Sequence, residues 1–164
     1  MRFAIIGAAM SGLACANTLV AAGHSVRLFD KGRGAGGRMS TRRWDTPLGE
    51  VKVDHGAQYF TARNPAFLRL VRDWQEQGIA ATWPPAGPGA WVGLPGMNAV
   101  VKQMASPHHV SWNTLVTSIV RQGDDWKVVS ERGEDGSSSS SGSIVCGDRS
   151  GPAAAVLESI LRPN

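Results

Sequence analysis

An α/β fold organised around a parallel sheet is what the chain predicts, and three observations carry that expectation. Residues 3–6 (FAII) form a short apolar run ending in a glycine-bearing turn, GAAMSG. The next stretch, LACANTLVAAGH, repeats Leu13, Ala16, Leu19 and Val20 at helical spacing and closes on Gly23, a glycine of the kind found just past a helix end. Residues 25–30 (SVRLFD) then alternate apolar and polar side chains as a strand does. A helical crossover returns the chain in its original direction, so the two strands lie parallel.

The remaining elements follow in order. Residues 31–43 (KGRGAGGRMSTRR) hold four glycines and five basic residues in thirteen positions, which fits a loop leading into a helical turn. Residues 50–59 (EVKVDHGAQY) alternate as a strand. Asn64-Pro65 opens a helix that sets Phe67, Leu70, Val71 and Trp74 on one side, because proline is pre-shaped for a first helical turn. Residues 84–90 (PPAGPGA) are a rigid, irregular connection, and a helix is expected from Asn98 onward. Residues 109–131 read as antiparallel β with a turn at Gly123-Asp124-Asp125. Trp74, Trp112 and Trp126 fit core positions, while Trp83 and Trp91 flank the proline connection and are expected to pack.

The composition suits one globular core. The chain has 164 residues, 42% hydrophobic and 18% charged, with a net charge of +4. A domain near this size buries about 70% of the surface its unfolded chain exposes and needs no disulfide or metal to fold. Cys15 and Cys146 are too few for a disulfide framework, and neither they nor His108-His109 show metal-ligand spacing, so no metal site is expected. No apolar run reaches the roughly 18 to 20 residues of a membrane span, and the N-terminus shows no signal-peptide organisation, so the chain reads as soluble and cytoplasmic. The tract GSSSSSGS at residues 136–143 has the composition of flexible coil, and inside a domain it looks like a join across a deleted segment. The organisation expected is a core over residues 1–135, a linker over 136–143 and a strand-helix tail over 144–164.

The first turn carries the chemistry. In the GxGxxG pattern the first glycine makes the turn, the second admits the pyrophosphate, and the third lets helix and strand pack closely. Gly7 and Gly12 match the first and third positions, and Ala9 takes the second, adding a methyl group where phosphates would approach. A strand precedes the turn, and a helix N-terminus with free N–H groups follows it. Asp30 lies 18 positions after Gly12, near the spacing of a ribose-hydroxyl acceptor. Nucleotide binding is the function these features point to.

Four segments in order, IIGAAMSGLACA, FDKGRGAGGRMSTRR, DHGAQYFTAR and WVGLPGMNA, resemble the FAD-dependent amine oxidoreductase superfamily and its renalase-like bacterial branch. The resemblance spans about residues 1–131 and weakens after the serine tract. It implies a Rossmann-like FAD-binding domain with a parallel sheet and an antiparallel β meander, the substrate domain being largely missing. It places Gly7, Ala9, Met10, Ser11 and Gly12 around the pyrophosphate and Asp30 and Lys31 at the adenosine ribose. It pairs Arg38 with the pyrophosphate, with Arg33 close by and Gly37 and Met39 on either side of Arg38. A guanidinium suits this role because it can hold a diphosphate through two hydrogen bonds at once. It sets His55, Gly56, Ala57 and Gln58, with Tyr59, near the isoalloxazine ring, and Val116 at the adenine through its backbone.

Residues 144–164 admit two alignments under the same resemblance. In one, IVCGD is the late strand whose Asp148 reaches the flavin ribityl and phosphates. In the other, it is the strand after the meander and Asp148 is incidental. The first is favoured, because a flexible Ser/Gly join directly before a GD strand is how a deletion would be bridged.

The activity implied is oxidation of a reduced nicotinamide or a small amine with oxygen as acceptor, and no catalytic residue is assigned. An FAD-binding module with little catalysis and an NAD-binding dehydrogenase fragment are the alternatives. A polyanion binder driven by the arginines is disfavoured, since no nucleic-acid module is recognisable.

Overall fold

The computed structural model describes residues 1–123, 125–131, 140–141 and 144–146. In chain order the elements are β1 (Arg2–Ile6), α1 (Met10–Ala21), β2 (Ser25–Phe29), β3 (Thr41–Thr46), β4 (Gly49–Asp54), β5 (Phe60–Thr61) and α2 (Pro65–Glu76). There follow β6 (Ala80–Thr82), β7 (Ala90–Gly93), α3 (Asn98–Ala105), β8 (Val110–Ser111), β9 (Val116–Gln122), β10 (Asp125–Ser130), β11 (Ser140–Ser141) and β12 (Ile144–Cys146). Short 3-10 turns occupy Gly37–Met39 and Pro84–Ala86. Two compact units result: Met1–Gly34 with Met104–Asn164, and Ala35–Gln103.

The first unit carries the expected β-α-β. Its sheet runs β12-β1-β2-β8, every neighbour parallel, with Ile5 opposite Leu28 and Val145. Gly23 takes φ +80 just beyond α1, where a glycine avoids the strain a Cβ would bring. Register places Ala4, Ile6 and Phe29 on one face of the sheet, where they bury with Val116 while Ile119 and Val128 pack against them. Ile5, Leu13, Ala16 and Leu28 are buried as well. Of the expected apolar stripe on α1, Val20 is exposed.

The antiparallel expectation for residues 109–131 holds only in part. β9 and β10 pair antiparallel, and β11 joins β10 as a third strand. β8 instead extends the parallel sheet beside β2. The physical cause is a break at Asn113, which adopts φ 54 and donates its N–H to Gly32 O, while Thr114 N–H bonds Asp30 O. These bonds anchor the segment to the end of β2 and separate it from the meander. Gly123 has φ +64 between β9 and β10, and the rest of the expected turn at Asp124 lies outside the described residues. Ser140–Ser141 of the serine tract are paired, and the expected tail helix lies outside the described residues.

The second unit holds the hairpin β3–β4 and a three-stranded sheet, β5-β7-β6. The strand expected over residues 50–59 stops at Asp54, because the Asp54 carboxylate accepts from Thr41 Oγ1 and from the Met97 N–H at 3.0 Å. His55 N–H and Ala57 N–H then bond Ser40 O and Arg38 O, turning the backbone out of the ladder. Arg42 and Arg43, expected in a loop, belong to β3. On α2, Val71 and Trp74 are buried and Leu70 is exposed. Phe60, Phe67 and Trp74 form a chain of tilted and edge-on ring contacts at 6.1 Å. Trp91 is buried and Trp83 is half-exposed, whereas Trp112 and Trp126 are only partly covered.

Candidate dinucleotide site

The carboxyl ends of β1 and β2 are where an open parallel sheet places its ligand crevice. Gly7, just past β1, has φ +97, a conformation that L side chains rarely adopt, and its N–H bonds Phe29 O at 2.8 Å. Gly12 is buried inside the first turn of α1, and a Cβ there would lie 1.9 Å from Gly7 O. The sequence expectation that the third glycine allows close packing of helix on strand is therefore met by a specific pair of atoms.

The helix between these glycines begins without a side-chain cap. Ala9 is the N-cap, with extended φ −88 and ψ −173, and no acidic residue stands in the first turn. The first N–H groups of a helix have no intrahelical acceptor, so this end presents donors and the positive pole of the helix dipole together. Met10 is half-buried and Ser11 exposed beside them. The methyl of Ala9 carries no acceptor to bond these donors.

Asp30 follows β2 and ties the site together. One carboxylate oxygen accepts from Ala8 N–H and the other from Gly32 N–H, both at 2.7 Å. The acid thereby joins the glycine turn after β1 to the loop after β2. Each oxygen has a second lone pair, so the carboxylate keeps acceptor capacity for a ligand hydroxyl. Sequence reasoning found Asp30 by its spacing but missed this bracing role, and it missed Asn113 and Thr114, whose N–H groups hold the same loop. Lys31 and Arg33 are exposed on that loop. Val116 is buried by its side chain in the sheet core. Asp148 lies outside the described residues.

In the second unit, two segments that the sequence presents as separate motifs are one local structure. Ala57 N–H bonds Arg38 O at 2.8 Å, Ser40 Oγ lies 3.3 Å from His55 Nδ1, and a Cβ on Gly56 would meet Arg38 O at 2.0 Å. Gly56 is thus the residue that lets the two backbones approach. Gly37 and Arg38 are exposed and Met39 is buried, while His55 and Gln58 are exposed and Ala57 half-buried. The organising pair here, Thr41 and Asp54, lies inside those two segments, but the sequence assigned neither residue a role. Thr41 Oγ1 donates to Asp54 and accepts from Asn98 N–H, and nothing short of the fold brings positions 41, 54 and 98 together.

A concavity in the first unit, about 160 Å³, is lined by Arg2, Ser25, Val26, Arg27 and Val128 among others. Its lining runs along Arg2–Ala4 and Ser25–Phe29 and includes no residue of the glycine turn. Arg27 there stacks its guanidinium 5.1 Å from the Phe29 ring centre. Among the described residues no three His, Cys, Asp or Glu side chains gather as metal ligands, and no helix is long and apolar enough to cross a membrane.

Comparison with known proteins bears on the fold. Residues 5–74 match the family model described as an NAD(P)-binding Rossmann-like domain. The structure superposes on a protein assigned as a protoporphyrinogen oxidase from Exiguobacterium sp. 255-15 with a TM-score of 0.60 and 8% identity, covering 82% of this chain and 57% of that one. Looser likenesses join it to 2,6-dihydroxypyridine-3-hydroxylase from Arthrobacter nicotinovorans, at TM-score 0.49 and 13% identity over 80% of this chain and 33% of that one. A putrescine oxidase variant gives TM-score 0.47 and 15% identity over 80% and 55%. At such identities the first likeness is one of fold. The chain spans less than two thirds of the length of each of these three proteins. The fold is Rossmann-like, a parallel sheet joined by antiparallel strands.

Proposed function

We propose that this chain binds FAD, as the dinucleotide-binding part of a flavin-dependent oxidoreductase. The observation that carries the proposal is the uncapped start of α1 beside Gly7, Gly12 and Asp30, an arrangement that suits a pyrophosphate and its ribose. The N–H groups of Met10, Ser11 and Gly12 would bind phosphate oxygens, and Asp30 a ribose hydroxyl. Bound flavin would supply hydride acceptance, and the protein would contribute orientation and exclusion of water. The choice of FAD, and the placing of Arg33, Arg38, His55, Gly56, Ala57, Gln58 and Val116 as its ligands, rest on the family resemblance. So does the reaction, with a reduced nicotinamide or an amine as donor and oxygen as acceptor. The name of the matching family model favours NAD(P) as the second reading.

An absorbance spectrum of the purified chain, followed by release and identification of any chromophore, tests this directly. Flavin bands with FAD released on denaturation support the proposal. A colourless chain that takes up NAD(H) but not FAD turns the assignment to the second reading. Arg38→Ala is expected to weaken FAD binding by about tenfold, the worth of one charge-assisted contact, with the thermal midpoint of the FAD-free chain unchanged. Wild-type affinity in that variant would mark the basic loop as merely solvated.

A further inference from the structure

The hairpin β3–β4 is an exposed two-stranded sheet whose two faces differ sharply. Its register pairs Arg42 with Val53 and Trp44 with Val51 on one face, and Thr41 with Asp54, Arg43 with Lys52 and Asp45 with Glu50 on the other. The first face is apolar yet open: Trp44 is 62% exposed, Val51 42% and Val53 49%. The second face sets like charges directly across from each other, two cations at 43 and 52 and two anions at 45 and 50, which is unfavourable within a hairpin. The one ion pair recorded within it is the diagonal Arg43–Glu50, at 4.0 Å. Among the described residues neither outer edge of this sheet pairs with another strand.

We propose that the hairpin joins a second copy of this chain along the outer edge of β3, about a two-fold axis at Trp44. Antiparallel pairing centred there sets Arg43 of each copy opposite Asp45 of the other, so the row of cations meets the row of anions. It also brings the two Trp44 side chains together on the apolar face, continuous with Val51 of both copies. The register is selected by charge. A slip of two residues one way opposes Arg43 to Arg43, and the other way Asp45 to Asp45. A slip of one residue sets the apolar face of one copy beside the polar face of the other. The two-fold makes the contact isologous and closed, with one patch serving both partners.

An anionic membrane fits less well, because residues 41–54 carry three cations (Arg42, Arg43, Lys52) and three anions (Asp45, Glu50, Asp54), leaving no net attraction for lipid. Pairing of six-residue edges belongs to the small end of protein interfaces, below about 1,200 Å², so the dimer is weak and concentration-dependent.

Sedimentation velocity of the full chain, from low-micromolar to near-millimolar protein, tests this. A dimer whose fraction rises with concentration and falls with salt is expected. Arg43→Asp or Asp45→Arg alone should raise the dimer dissociation constant at least about tenfold, since each replaces two unlike pairs by two like ones. The double exchange, Arg43→Asp with Asp45→Arg, should restore it. Circular dichroism and a melting curve confirm that all three variants fold. A chain that stays monomeric throughout overturns the proposal, as does a double exchange that fails to rescue. Rescue found only on exchanging Glu50 and Lys52 would move the contact to β4 and overturn it too. Binding to phosphatidylserine vesicles that depends on Trp44, without self-association, would replace it with a membrane surface.

Discussion

Helices α1 and α2 have the same length, twelve residues, and begin in opposite ways. At the start of α2 the Asn64 side chain accepts from Ala66 N–H at 2.9 Å and Phe67 N–H at 3.2 Å, and Pro65 removes a third donor by lacking an N–H. At the start of α1 the N-cap is Ala9, whose side chain has no acceptor. The first helix end is complete within the chain, and the second leaves its donors for something else. Both helices are packed and equally long, so the missing cap is compatible with the proposed phosphate site. A cap at position 9 would compete with an anion for the same N–H groups.

Four substitutions break or sharpen that comparison. The largest effect belongs to Gly12→Ala, whose methyl would fall 1.9 Å from the backbone oxygen of Gly7. We expect a stability loss of about 3 kcal/mol, at the upper end of overpacking costs, and a loss of nucleotide binding with it, read by denaturant titration and flavin content. A stable, ligand-binding variant would mean that the turn relaxes freely and that Gly12 is not what sets its shape.

Next, Ala9→Asp gives α1 the cap it lacks. The ligand-free chain should gain about 1 kcal/mol while FAD affinity drops more than about tenfold, opposite signs from one substitution. If stability and affinity rise together, the helix end does not face the phosphates.

The reciprocal change, Asn64→Ala, should cost about 1 kcal/mol in chemical denaturation and leave ligand binding untouched. A change in affinity there would blur the distinction between the two ends.

The smallest effect is a pH dependence in the first unit. The His108 ring nitrogen Nε2 bonds Asn17 Oδ1, and partial burial lowers its pKa below the ordinary 6.5. The folded state then prefers the neutral ring, so the unfolded chain binds more protons just below 6.5. His108 therefore contributes stability above that pH and loses it as pH falls through the lowered value. His108→Gln should flatten the melting temperature slightly between pH 7 and pH 5, and an unchanged slope would assign the dependence to other groups.

Local patterns were legible and long-range closures were not. Gly23 marked the end of α1, and Asn64-Pro65 the start of α2, because a positive φ and a cap are decided within a few residues. The strand drawn through His55 to Tyr59 was too long, since its end depends on Asp54 reaching the Met97 N–H, 43 positions away. Residues 110–111 were set in the meander, although their partner is β2, because alternation reveals a strand and not its neighbour. The open edge of β3 is not legible in the sequence, because the glycine- and arginine-rich composition of residues 31–43 masks the strand that begins at Thr41.

The sequence by itself determined the β-α-β unit, the glycine turn with Ala9 in its middle, and the acid that follows the second strand. These depend on steric and hydrogen-bonding rules that act between near neighbours. Only the tertiary structure decided that the Asp30 carboxylate braces Ala8 and Gly32, that Gly56 lets the Arg38 backbone approach, and that like charges face each other across β3 and β4. Those outcomes depend on which distant backbones meet, and hydrogen-bond partners and register are settled when the chain closes on itself.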